Sequence, residues 1–134
     1  MDQSLTRPNF DDFMKARENA ARAYVTGRAD LLLDLSAQEG PASFFAPDGA
    51  VVTGAASVND ANARGAEHFA PGGTTFFEVL ESGSSDEYGY WVGYQAAKVE
   101  VDGKAQEMRL RVTEIFQMGA EGWKLIHRHA SPAS

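Results

Sequence analysis

Apolar residues recur at helical spacing in the first part of this chain and at strand spacing in the second. Phe10, Phe13, Met14, Arg17, Ala21 and Tyr24 line up on one helical face that runs to Gly27. Pro8, Asn9 and the acidic pair Asp11 and Asp12 before and within it suit a helix start. Asp30 can cap a short second helix over 31–35, which stops before Gly40-Pro41. Phe44-Phe45-Ala46-Pro47-Asp48-Gly49 reads as a connection into a short strand over 50–53, and Ser57 or Asn59 can cap a third helix that reaches Phe69. After the breaker Pro71-Gly72-Gly73 the pattern predicts strands over 74–81, 88–101, 104–118 and 123–130, separated by Gly, Ser and Asp turns. Helices first and a strand meander afterwards predict an α+β fold, with helices covering one face of a mostly antiparallel sheet.

Which face they cover depends on one turn. Asp102-Gly103 can close as a two-residue turn that sets Val101 against Lys104, or as a three-residue turn that pairs Glu100 with Lys104 and Lys98 with Gln106. Opposite charges directly across a ladder favour the second. That register places Tyr90, Val92 and Tyr94 on one apolar face with Glu114, Val112 and Leu110, and an odd-length loop keeps Ile126 and Arg128 there too. The opposite face then carries Trp91, Gln95, Arg109, Arg111, Trp123, Leu125, His127 and His129, a mixed composition that suits a subunit interface. A homodimer through Trp91, Trp123, His127 and His129 is the expectation.

Composition narrows the function classes. At 134 residues the length suits a single domain spanning 1–134, and 43% hydrophobic residues suit a folded globular chain. A net charge of −7 without any long basic run disfavours nucleic acid. The absence of cysteine excludes thiol catalysis, disulfides and cysteine-bound zinc. The N-terminus lacks the apolar stretch of a secretory signal and no stretch reaches membrane-spanning length, so the expected location is cytoplasmic, away from membranes.

The phrase Phe45-Ala46-Pro47-Asp48-Gly49 and the ending Gly122-Trp123-x-Leu-Ile-His127-x-His129-x-Ser131, behind a helical N-terminal half, resemble the nuclear transport factor 2-like superfamily. Within it the likeness is to SnoaL-like and ketosteroid-isomerase-like bacterial proteins. The resemblance implies a cone-shaped fold in which a curved sheet wraps helices and leaves a pocket at its wide end, usually in dimers. The same scaffold carries isomerases, cyclases, dehydratases, epoxide hydrolases and an oligomerising kinase domain, so fold alone does not choose a function. The resemblance would put an isomerase base near Thr53, where Val52 and Gly54 flank it and no carboxylate stands. It would put the oxyanion-side acid at or beside Glu114 and a first-helix tyrosine near Tyr24.

Glu114 is the sharpest candidate for chemistry. A carboxyl on an apolar face should have a raised pKa and could act as general acid or base, whereas a pairing with Arg128 on the same face would lower the pKa and make the residue structural. Tyr24, Tyr90 and Tyr94 can offer hydroxyls to an apolar pocket, or pack as core aromatics. His127 and His129, roughly 6.6 Å apart on one strand face, lack a third ligand and have Arg111 as an expected neighbour, so no metal and no cofactor is expected. The preferred reading is a protein that binds a small apolar or aromatic molecule through Tyr24, Tyr90, Tyr94, Glu114 and Arg128. The alternatives are a cofactor-independent isomerase, dehydratase or cyclase with Glu114 as tentative catalytic residue, and a dimeric interaction module.

Overall fold

The computed structural model describes residues 9–133, which form three helices and a six-stranded sheet. Helix α1, Phe10–Tyr24, begins where Asn9 accepts hydrogen bonds from the backbone N–H groups of Asp11 (2.7 Å) and Asp12 (3.4 Å), with both acids in the first turn. Pro8 lies outside the described residues. Helix α2, Asp30–Asp34, has Asp30 as its first residue and not as its cap. Helix α3, Ala55–Ala66, starts earlier than a Ser57 or Asn59 cap would allow. Its N-cap is Gly54 at φ +91°, where a glycine lets the chain turn directly out of a strand.

The strands are β1 (Ser43–Phe45), β2 (Val51–Thr53), β3 (Thr74–Ser84), β4 (Tyr88–Val101), β5 (Lys104–Gly119) and β6 (Gly122–Pro132), ordered β2-β1-β6-β5-β4-β3. Ser43–Phe45, expected as a connection, is a strand. It runs parallel to β6 and antiparallel to β2 in a sheet whose other pairs are all antiparallel. Three residues are too short for alternation to be read, and their two partners, β2 and the edge of β6, are set by the tertiary fold. No helix among the described residues is long and apolar enough to cross a membrane.

The register across Asp102-Gly103 corrects the expectation drawn from charge pairing. Val101 stands opposite Lys104, and both turn residues have positive φ (Asp102 +50°, Gly103 +83°), the conformation of a primed two-residue turn. Such a turn matches the right-handed twist of the strands. A slip by one residue exchanges the faces, so Trp91, Gly93, Gln95, Ala97 and Val99 point inward while Tyr88, Tyr90, Val92 and Tyr94 point outward. Cross-strand charge pairs are worth about 0.2–1 kcal/mol each, less than the roughly 1.5–3 kcal/mol gained by fully burying one large apolar side chain. An exposed pair, Lys98 with Glu107 at 3.6 Å, forms in the observed register anyway.

Strand β6 carries a second correction. Its pairing with β5 shifts between Ile115 and Phe116, where Phe116 stands opposite Leu125 but Ile115 stands opposite His127. The bulge turns Trp123 and Leu125 inward while leaving Arg128 and Ala130 on the same inner side. Trp91 and Trp123, expected at a subunit interface, are therefore core residues. His127 and His129 do lie on the outer face by register, against the ring of Phe45.

The helices pack on this inner face and close one end of the cone. Phe10 and Phe13 of α1 meet Phe116 at 5.8 and 4.9 Å between ring centroids, and Phe10 meets Trp123 at 5.2 Å. One turn further along α1 comes Arg17, and one to two turns beyond it Ala21, Tyr24 and Val25. The same order runs down β5, from Phe116 through Glu114 to Leu110 and Met108. A charged layer thus separates an aromatic plug from an open end.

Candidate functional site

The open end is a cavity of about 410 Å³ between the sheet and the three helices. Its walls are mostly apolar, with Val25, Leu32, Phe69, Ala97, Met108 and Leu110 among them. Its polar side chains include Arg17 and Tyr24 from α1, Asn59 and Asn62 from α3, Gln95 from β4 and Arg128 from β6, with Ser36, Ser43, Asp48, His68 and His127 also at its walls. Gly65 on α3 is needed for this shape, because a Cβ there would fall 2.3 Å from the Tyr24 hydroxyl oxygen.

Glu114 lies behind that wall, fully buried, and each of its oxygens accepts two hydrogen bonds. Oε1 takes Arg17 Nε and Trp91 Nε1, both at 2.8 Å; Oε2 takes Arg17 Nη2 at 2.7 Å and Arg128 Nη1 at 2.8 Å. Burial pushes the carboxyl pKa up, but the charges of Arg17 and Arg128 and their hydrogen bonds outweigh it and bring the value down to about 2. Of the two readings open for Glu114, the ion pair with Arg128 is the one formed, and Arg17 doubles it. A carboxylate saturated in this way is ionised at neutral pH and has no proton to give as a general acid.

Arg128 continues the network outward. Its Nη2 donates to Gln95 Oε1 at 2.7 Å, Gln95 Nε2 donates to Thr75 Oγ1 at 3.1 Å, and Thr75 Oγ1 donates to the Ala96 carbonyl at 2.7 Å. Burial lowers the Arg128 pKa from its ordinary value and Glu114 pulls it back, so the guanidinium stays charged. Burial likewise raises the Tyr24 pKa against the pull of Arg128 and Arg17, which keeps it a neutral phenol able to donate. Among the described residues nothing hydrogen-bonds to that hydroxyl. Two buried polar atoms of the cavity residues are also without partners, Arg17 Nη1 and Asn59 Oδ1.

The fold brings together three of the five residues expected to bind a ligand. Tyr24 and Arg128 border the cavity and Glu114 anchors its floor, whereas Tyr90 and Tyr94 are on the other face of the sheet. There the Arg109 guanidinium lies 4.2 Å from the Tyr94 ring centre and 3.6 Å from Glu78, as part of an outer surface. Arg17, Asn59, Asn62 and Gln95 are polar cavity residues outside the set expected from the sequence. Arg17 had left a signal, a single cation inside an otherwise apolar helical stripe. Gln95 was assigned to the opposite face by the one-residue slip. On the outer face, Ser43 Oγ and His127 Nδ1 share a 2.6 Å hydrogen bond, and burial and the repulsion of His129 lower the His127 pKa.

The SnoaL-like domain family matches residues 14–134, and the chain belongs to that family. No curated protein matches the chain in sequence. Solved structures with the same fold include a nuclear transport factor 2-like superfamily protein from Salmonella enterica, 13% identical, covering 92% of this chain and 90% of its own, with a TM-score of 0.77. A candidate dehydratase of that family from Streptomyces avermitilis is 20% identical over 84% of this chain and 86% of its own, with a TM-score of 0.69. A candidate calcium/calmodulin-dependent protein kinase type II association domain from Thiobacillus denitrificans is 16% identical over 89% of this chain and 93% of its own, with a TM-score of 0.73. At these identities the likeness concerns the fold, the α+β cone of the nuclear transport factor 2-like superfamily.

Proposed function

We propose that the protein binds a small, mostly apolar molecule in the cavity between sheet and helices. The observation that supports this most is the cavity itself, about 410 Å³ within a fold whose other end is tightly filled by aromatic rings. Protein interiors contain few voids larger than a water molecule, and small-molecule sites are apolar clefts of about 300–1,000 Å³ with a few placed polar groups. In this reading Tyr24 and Arg128 touch the ligand and Glu114 positions the two arginines. Tyr90 and Tyr94 have no part in the site. An isomerase or dehydratase using Glu114 for proton transfer is disfavoured by the four hydrogen bonds that occupy the carboxylate. Thermal unfolding against a panel of apolar and aromatic compounds tests the proposal: bound ligands raise the melting temperature, and no shift across the panel would defeat it.

One observation favours a second, compatible reading, self-association through the outer sheet face. Phe76, Tyr88 and Tyr90 are exposed large apolar residues of that face, and Phe76 is 56% exposed. Large apolar exposure of this kind marks association surfaces. The homodimer expected from the sequence is kept with these residues in place of the two tryptophans, beside His127 and His129.

A further inference from the structure

The charges around the cavity do not balance. Arg17 and Arg128 bring two positive charges to the buried layer, and Glu114 brings one negative. The remaining ionisable groups at the cavity do not compensate. Asp48 and His68 are exposed, the latter paired with Asp102 at 2.8 Å, and His127 sits at the edge with its pKa lowered. Glu18, behind Phe77, is engaged by the Phe77 N–H at 2.9 Å and by Arg22 at 3.4 Å. A buried charge without a partner is costly, and a fold that retains one leaves a place for its counter-charge.

A second observation says where that counter-charge goes. The Arg17 side chain is only 3% exposed, borders the cavity, and has Nη1 without a hydrogen-bond partner among the described residues. Its other nitrogens are used, Nε and Nη2 both on Glu114. Tyr24, two turns further along the same face of α1, has a free hydroxyl and feels the charge of both guanidinium groups. Arg17 Nη1 has almost no accessible surface, so the donor that faces the cavity is the Tyr24 hydroxyl, where positive charge is in excess.

We infer that the cavity takes an apolar molecule bearing a single carboxylate, which accepts from the Tyr24 hydroxyl beside the positively charged Arg17–Glu114–Arg128 layer. The ligand's one negative charge neutralises the layer, and its hydrocarbon or aromatic body fills the space between Val25, Phe69, Ala97 and Met108. A dianion would overshoot the balance. A neutral isostere fills the same volume but leaves the positive charge of the layer unbalanced.

This inference rests on the pocket reading above, and matched pairs of probes separate the two. Cinnamate with cinnamamide and octanoate with octanamide are compared by titration calorimetry and thermal shift on the full chain. Each acid is expected to bind roughly tenfold more tightly than its amide, the difference between a charge-assisted and a neutral hydrogen bond. Arg128→Gln removes the excess charge but leaves the Arg17–Glu114 pair, so it should close the gap between acid and amide. Tyr24→Phe should weaken the acids several-fold and serves as the test should Arg128→Gln fail to fold. Equal binding of acids and amides by the unaltered protein overturns the carboxylate inference and leaves the pocket standing. No binding of any of the four probes overturns both.

Discussion

The indole N–H of Trp91 donates to Glu114 Oε1 at 2.8 Å across adjacent strands. The contact joins the largest buried side chain of β4 to the only buried acid among the described residues, and it exists only in the register closed by the Asp102-Gly103 turn. Removing the acid should expose how much depends on it. Glu114→Ala leaves two guanidinium groups facing each other without a carboxylate, and about 3–5 kcal/mol of stability should be lost in urea denaturation. Trp91→Phe, which removes the donor and part of the packing, should cost about 1–3 kcal/mol.

Acid should unfold the protein partly through this residue. The Glu114 carboxyl has a pKa of about 2 in the folded chain against an ordinary value of 4.5. A lowered folded value means a contribution present in full above about 4.5, lost as pH falls from there towards 2. Its size is roughly 3 kcal/mol. Denaturation curves measured between neutral pH and pH 2 should show that loss, and Glu114→Gln should lack it.

The turn can be tested on its own. Gly103 at φ +83° has open space where a Cβ would go, so Gly103→Ala meets no clash and should cost about 1–2 kcal/mol from backbone strain alone. Asp102→Gly, at φ +50°, should be close to neutral, with loss of the exposed His68 pair as its main effect. In a three-residue turn Asp102 would not need positive φ, and Asp102→Gly would then cost about 0.5–1 kcal/mol instead of being neutral.

Gly65 and Tyr24 should be coupled. Gly65→Ala puts a methyl group 2.3 Å from the Tyr24 hydroxyl oxygen but 3.6 Å from the ring carbon that carries it. The substitution should destabilise the parent chain by about 1–2 kcal/mol and the Tyr24→Phe variant by much less. A double-mutant cycle by chemical denaturation measures the difference, and additive effects would mean that the hydroxyl does not lean on α3.

Self-association through the outer face makes a separate prediction. Phe76→Glu and Tyr90→Glu should lower the sedimenting mass towards that of one chain without changing the melting temperature measured at low concentration. Unaltered sedimentation in both variants would place any association elsewhere.

The elements themselves were legible in the sequence because local physics specifies them. The α1 stripe from Phe10 to Tyr24, its Asn9 start and the long alternating strands β4 and β5 follow from periodicity and capping. The motif at residues 122–131 carried the family resemblance, and the family match over residues 14–134 agrees with it.

What the tertiary structure alone decided was which side of the sheet faces the helices. Period two makes both faces of β4 equally regular, and a turn one residue shorter exchanged Tyr90 and Tyr94 for Trp91 and Gln95. The β6 bulge, invisible as one extra residue in an alternating run, turned Trp123 and Leu125 to the same side as Arg128. Arg17 met Glu114 across 97 residues of sequence, a contact that no local pattern encodes. Local propensity sets each element, but register and long-range charge pairing are settled only when all the elements bury their surfaces together.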